Sequence, residues 1–346
     1  MSTPEGSPAA EDRAAPTSQR RGRPRPRLLV LAPVLVCLLG AGAVWFVRDS
    51  SGPSSCEVVR DDARVEKALG DRYDEAMTCA ELGAAVKAVT VGPAPGKHSL
   101  EQAQAMKDVL LAVAESIGEA DGGLDAGLRL PLGQVLAGYR ADLQENMGLT
   151  SSAYVRNGLP AGPAWEDGAG VHVSVDWKSA LLPVVRAVSE DPRAYAVIRD
   201  ALTLQGAEGL VATEPDSTGS ELSAPAARSA WALGNLDGVA ADVVRDLGKD
   251  RGREWRAAVL AELSAPGEGG KNAVPAFSDD AAGHLVARWR ADVNDKGAEA
   301  LENQGASMFG AWCDAVRVAG GDRAAARERV ESGQKAARRE ALAHLD

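Results

Sequence analysis

Residues 99–117, SLEQAQAMKDVLLAVAESI, decide the class of this chain. Apolar side chains recur at Ala103, Met106, Leu110, Val113 and Ile117, the three-and-four spacing that lines one face of an α-helix. Ser99 with Gln102 three residues on is a capping-box signature: the hydroxyl accepts the third helical N–H while the amide side chain reaches back. Such a face is stable only against other faces like it.

The flanking sequence supplies them. Helices are predicted over 57–69 and 72–90, ahead of the breaker VGPAPGKH at 91–98. After Gly122-Gly123, Pro131 sits where a first turn tolerates it, and Leu132, Val135, Leu136, Tyr139 and Leu143 form the next stripe. Asp191-Pro192 opens a helix to about Gly206. Ser223 and Pro225 start another to about Leu247, in which Gly234 and Gly238 read as sites of close helix contact. Further helices span 252–264, run from Asp279 or Asp280 towards Gln304, and cover 306–319 and 322–345. The last has only Val330, Leu342 and Leu345 as large apolar residues, so loose docking is expected. GVHVSVDW at 170–177 alternates like a strand.

Composition agrees with helices. The chain has 346 residues, 45% apolar and only 4% aromatic, and alanine is its commonest residue, which suits closely packed helices better than a β-sandwich. This is enough apolar material for a sizeable core. The net charge of -11 argues against a nucleic-acid partner.

That charge is uneven. Residues 1–27 form a basic, Pro-rich tail without the bulky apolar side chains needed to fold. Residues 28–47, LLVLAPVLVCLLGAGAVWFV, are twenty residues without a charge, long enough for the hydrocarbon core of a bilayer. RRGRPRPR at 20–27 places the amino terminus on the cytoplasmic side of a signal anchor and the rest outside. The alternative is cleavage after Ala43. Residues 48–55 read as a stalk. The expected fold is therefore mainly α: a single transmembrane helix at 28–47, then a multi-helix extracytoplasmic bundle over 56–346, with at most a short β hairpin near 170–177. The 148–170 loop is the place for a split into two subdomains.

Cysteine usage fits an oxidising compartment. Cys56 and Cys79 are the favoured disulfide pair by spacing, with Cys313 buried and free; the alternatives pair Cys313 with either. Cys37 lies in the apolar segment.

Catalytic and metal signatures fail on close reading. His98, His172, His284 and His344 lack the i,i+3 or i,i+4 spacing of a metal pair. Ser307 lies in GASMF, where a nucleophile elbow needs Gly in place of Phe309. Gly267 to Asn272 lacks the Gly, the Ser or Thr and the preceding strand of a phosphate loop. Glu66, Glu75, Glu81, Glu115, Glu119, Asp142 and Glu145 read as solvated helix faces, and Asp216, Asp279 and Asp280 do not make a calcium loop. No catalytic residue, cofactor or metal is expected.

Three phrases carry a resemblance: LRLPLGQVLAGYRADL at 128–143, DPRAYAVIRDAL at 191–202 and ALGNLDGVAADVV at 232–244. Their order over about 128–310 resembles a helical region of uncharacterised large actinobacterial proteins related to polymorphic-toxin and type VII-associated proteins. The resemblance implies an exported α-helical module and no catalytic residue. The expected function is a surface interaction or structural module with a protein partner. Competing readings are a cell-wall glycan or peptide hydrolase with an unrecognised carboxylate site, and a toxin- or secretion-associated membrane protein.

Overall fold

A computed structural model describes residues 54–346, except 93–95, 120–122, 158–160, 266–273 and 319. Apart from one longer helix, its first half is made of short helices with local stop signals. α1 (Ser55–Arg60) and α2 (Ala63–Leu69) replace the single helix expected over 57–69. Asp62 divides them, because its carboxylate accepts the Arg64 N–H at 2.8 Å and so caps a new helix. α3 (Cys79–Thr90) begins later than expected, at a Thr78–Glu81 capping box. A Cys56–Cys79 disulfide joins α1 to the start of α3, with Cα atoms 5.8 Å apart, and Cys313 is free and buried. Closing a loop of this length contributes about 3 kcal/mol by chain entropy.

α4 (Leu100–Glu119) holds the opening stretch. The Ser99 N–H donates to Gln102 Oε1 at 2.9 Å and the Gln102 N–H to Ser99 Oγ at 3.1 Å. Its buried face includes Ala103, Met106, Leu110 and Val113, together with Lys107, whose ammonium donates to the Gly162 carbonyl. In α5 (Ala126–Gly138), Asp125 is the cap, and Pro131 is interior instead of in the first turn. The residue four positions before that proline is Gly127, the smallest neighbour the ring could meet across one turn.

α6 (Arg140–Met147) and α7 (Ser152–Asn157) precede the only sheet among the described residues. β1 (Trp165–Asp167) pairs antiparallel with β2 (Gly170–His172), Trp165 opposite His172. The alternation at 170–177 thus forms a strand for three residues; Trp177–Leu181 is already a wide π-type turn leading into α8 (Leu182–Val188).

The second half is built on longer helices. α9 (Pro192–Val211) starts at the Asp191 cap as read. α10 (Gly219–Ser264) is interrupted at Gly248, whose φ of 74° and ψ of -178° belong to glycine and turn the chain between the two predicted helices. α11 (Ala281–Lys296) and α12 (Ala298–Glu302) replace the longer helix expected towards Gln304, and α13 (Gln304–Val316) stands where the helix over 306–319 was expected. α14 (Gly320–Leu345) closes the described chain.

Loose docking of that last helix is corrected by its packing. Ala326, Val330, Gln334, Ala337 and Ala341 are buried, and α14 lies directly on Gly234 and Gly238 of α10. A Cβ at Gly238 would stand 2.6 Å from Ala341 Cβ and 2.8 Å from the Arg338 carbonyl oxygen. Alanine against glycine brings the backbones together, so a helix poor in large side chains still buries a long face.

The expected transmembrane helix at 28–47 lies outside the described residues. Among those described, no helix is long and apolar enough to cross a membrane. The fold class is accordingly corrected: the described residues form a mainly helical domain with a short two-stranded hairpin, and the expected single transmembrane helix is not supported among them. The long helices α4, α9, α10 and α14 interleave charged and apolar residues, whereas a spanning helix needs roughly 20 consecutive predominantly apolar ones.

Candidate functional site

α6 places Asp142 and Asn146 one turn apart on the same face, towards the segment that follows β2. Asp142 is buried; its Oδ1 accepts from the Tyr154 hydroxyl at 2.5 Å and from the Val173 N–H at 2.9 Å. Asn146 does the work of a neighbouring strand, donating to the Val173 carbonyl at 3.1 Å and accepting the Val175 N–H at 3.1 Å. His172 lies between two carboxylates, Nδ1 at 3.5 Å from Asp142 and Nε2 at 3.1 Å from Asp167. The Asp142 hydrogen bond, reinforced by the charges of both carboxylates against the cost of burial, raises the His172 pKa above its usual 6.5. Burial beside the same Asp142 raises that of Tyr154.

Both imidazole nitrogens are thereby occupied, which makes the cluster a clasp for the hairpin. A folded-state pKa above the unfolded value adds stability that is full below about pH 6.5 and is lost as pH rises through the raised pKa. Tyr154, Asp142 and Asp167 are the titratable groups facing the ring. The hairpin is expected to loosen at alkaline pH in the wild type and to lose that dependence in His172→Gln. Trp165 fluorescence against pH checks this, and identical profiles for the two proteins would refute the clasp.

A second constellation lies where α9, α10, α12, α13 and α14 meet. Arg199, with no exposed surface, donates from Nη1 to Asp237 Oδ1 at 2.6 Å and to the Tyr195 hydroxyl at 2.7 Å, from Nη2 to the Leu301 carbonyl at 2.7 Å and from Nε to Gln304 Oε1 at 3.0 Å. Gln334 Nε2 donates to the other Asp237 oxygen at 2.8 Å. Burial pushes the Tyr195 hydroxyl up to about 12.

Above this network is a pocket of about 230 Å³. Tyr195, Asp237 and Leu301 line it, as do Trp255, Val259 and Leu260, with Arg256, Glu302 and Arg338 contributing further charge. Asp237 and Arg256 both line it, although nineteen helical residues would separate them by about 28 Å in a straight helix. The break at Gly248 is what folds α10 back and makes the pocket. Trp255 is fixed there by donating to the Ser189 carbonyl at 3.0 Å and by packing edge-on to Tyr195.

No family model, curated protein or solved structure matches this chain.

The remaining residues singled out from sequence take structural places. His98 stacks on Tyr139 with ring centroids 3.7 Å apart and lies 3.1 Å from the Gly138 carbonyl, and burial lowers its pKa. His284 donates to the Pro275 carbonyl at 2.7 Å, and His344 is exposed on α14 near Glu340. Ser307 is inside α13, and Gly267 to Asn272 lie outside the described residues. Glu81 completes a cap, Glu115 pairs with Arg64, Glu145 accepts the Ser151 N–H, and Asp280 caps α11. Glu66, Glu75, Glu119, Asp216 and Asp279 are on the surface. Among the described residues, no group of three or more His, Cys, Asp or Glu is placed to hold a metal ion.

Asp142 is the exception to the solvated-face reading, and Arg199 with Asp237 was not singled out at all. Tyr195, Arg199 and Thr203, one turn apart beside Ile198 and Leu202, were the available signal.

Proposed function

We propose that residues 54–346 form a helical binding module of an oxidising compartment, which engages a protein partner through the pocket at the α10 break. The observation that carries this reading is the pocket's size and fixed charge. At about 230 Å³ it is below the roughly 300–1,000 Å³ usual for small-molecule sites, and fits one or two side chains of a larger partner. An apolar wall of Trp255 and Leu260 beside Arg338 and Glu302 suits an amphipathic side chain.

The disulfide supports an oxidising compartment. The hydrolase reading is weaker: the two carboxylates at the pocket are each held by a guanidinium, Asp237 by Arg199 and Glu302 by Arg338 at 3.0 Å. A glycosidase needs one acid kept protonated and free to donate.

A photo-crosslinking side chain at Leu260 of the full-length protein in its native cells tests the proposal. The expected result is a discrete adduct that disappears when Ala241→Arg closes the pocket. No adduct, or one that persists in the Ala241→Arg background, overturns it.

A further inference from the structure

A different pocket, of about 690 Å³, lies between α2, α4 and the connection at 161–163 that precedes β1. Unlike the partner pocket, with which it shares no residue, it falls within the roughly 300–1,000 Å³ usual for small-molecule sites. Its charged lining is three cations, Arg64, Lys67 and Lys107, against one acid, Asp108. Two of these four are already matched. Arg64 pairs with Asp62 at 2.6 Å and with Glu115 at 2.5 Å, and Asp108 accepts from Gln104 Nε2 at 2.8 Å. Lys67 is exposed to solvent.

Lys107 is the unmatched interior charge. Its side chain is 3% exposed, yet the ammonium is held at the pocket wall and not in the core behind it, because it donates to the carbonyl of Gly162, a half-buried residue that lines the same pocket. That carbonyl takes one of three N–H groups and carries no charge. No carboxylate lies within ion-pair distance of the ammonium among the described residues. Burial lowers its pKa, and nearby Asp108 opposes that only in part. A cation buried without a counter-ion is costly, and an anion arriving in the pocket relieves that cost.

The kind of anion follows from the rest of the wall. One interior cation is balanced by a single negative charge, and a carboxylate brings that charge with acceptor oxygens for the open N–H groups. Leu111, Ala63, Ala161 and Pro163 are apolar, so they suit a ligand whose charge is carried on an apolar body.

We propose that this pocket binds a small organic carboxylic acid, its carboxylate on the Lys107 ammonium and its apolar body against Leu111 and the 161–163 connection. The site is separate from the partner pocket at the α10 break and does not depend on it.

The test is calorimetric titration of the full-length protein with phenylacetate at constant ionic strength. The expected result is saturable binding at one site, with phenylacetamide, which lacks the charge, and acetate, which lacks the body, each about ten-fold weaker or worse. Lys107→Met keeps an apolar stem and removes the ammonium, and should weaken phenylacetate by about ten-fold or more. Ala161→Trp is a second variant at an exposed position of the wall; it should abolish binding by filling the pocket while its thermal midpoint stays that of the wild type. No saturable binding, equal affinity for phenylacetamide or acetate, or wild-type affinity in either variant overturns the site.

Discussion

Replacing Arg199 by Met is expected to lower the free energy of unfolding by about 3–5 kcal/mol, the loss typical of breaking a buried ion pair from one side. The substitution leaves the buried Asp237 carboxylate without its 2.6 Å partner, and strips a donor from the Leu301 carbonyl, from Gln304 and from the Tyr195 hydroxyl. These groups come from four different helices, so the whole second half of the domain should respond. Arg199→Met/Asp237→Leu is expected to recover much of the loss, since the cost lies in the stranded charge and not in the absence of the pair. Urea denaturation of both variants checks this. A single variant as stable as wild type would mean that the network is dispensable.

Gly238→Val is expected to destabilise by about 3 kcal/mol, the upper end for overpacking. The added Cβ meets the Arg338 carbonyl oxygen at 2.8 Å, and backbone cannot swing aside as a flexible side chain would. α14 has to lift from α10 along its length, which would also move Arg338 at the rim of the partner pocket. Gly238→Ala should lose less, because helix propensity returns about 1 kcal/mol. Thermal unfolding of the two variants gives the order, and equal midpoints would show that the helices have room to separate.

The parts of this fold that were legible in sequence are those written within a few residues. The Ser99–Gln102 box, the Asp191 cap and the break between 247 and 252 are local chemistry, and each is present. The Cys56–Cys79 pair was legible because only Cys313 competes with these two among residues 54–346. α14 was misjudged because its face is written in alanine: Ala326, Val330, Gln334, Ala337 and Ala341 keep helical spacing but score low on hydropathy. Arg199 was invisible for the same kind of reason. An arginine in an amphipathic helix ordinarily marks the wet side, and its partners Asp237, Leu301 and Gln304 lie 38, 102 and 105 residues away. Asp142 too became a buried acceptor only once the hairpin folded over it.

The disulfide between α1 and α3 also has a mechanical meaning. Tension entering the domain from residue 54 reaches Cys56 and passes through the sulfur bridge to Cys79, so residues 57–78 are outside the path of the load. Extending the domain by its ends therefore releases about 80 Å less contour length than the same chain with its cysteines reduced, for the sequence separation of 23 residues. Reducing that bridge would return residues 57–78 to the path of the load and add their length to the slack on the residue-54 side of the remaining helices.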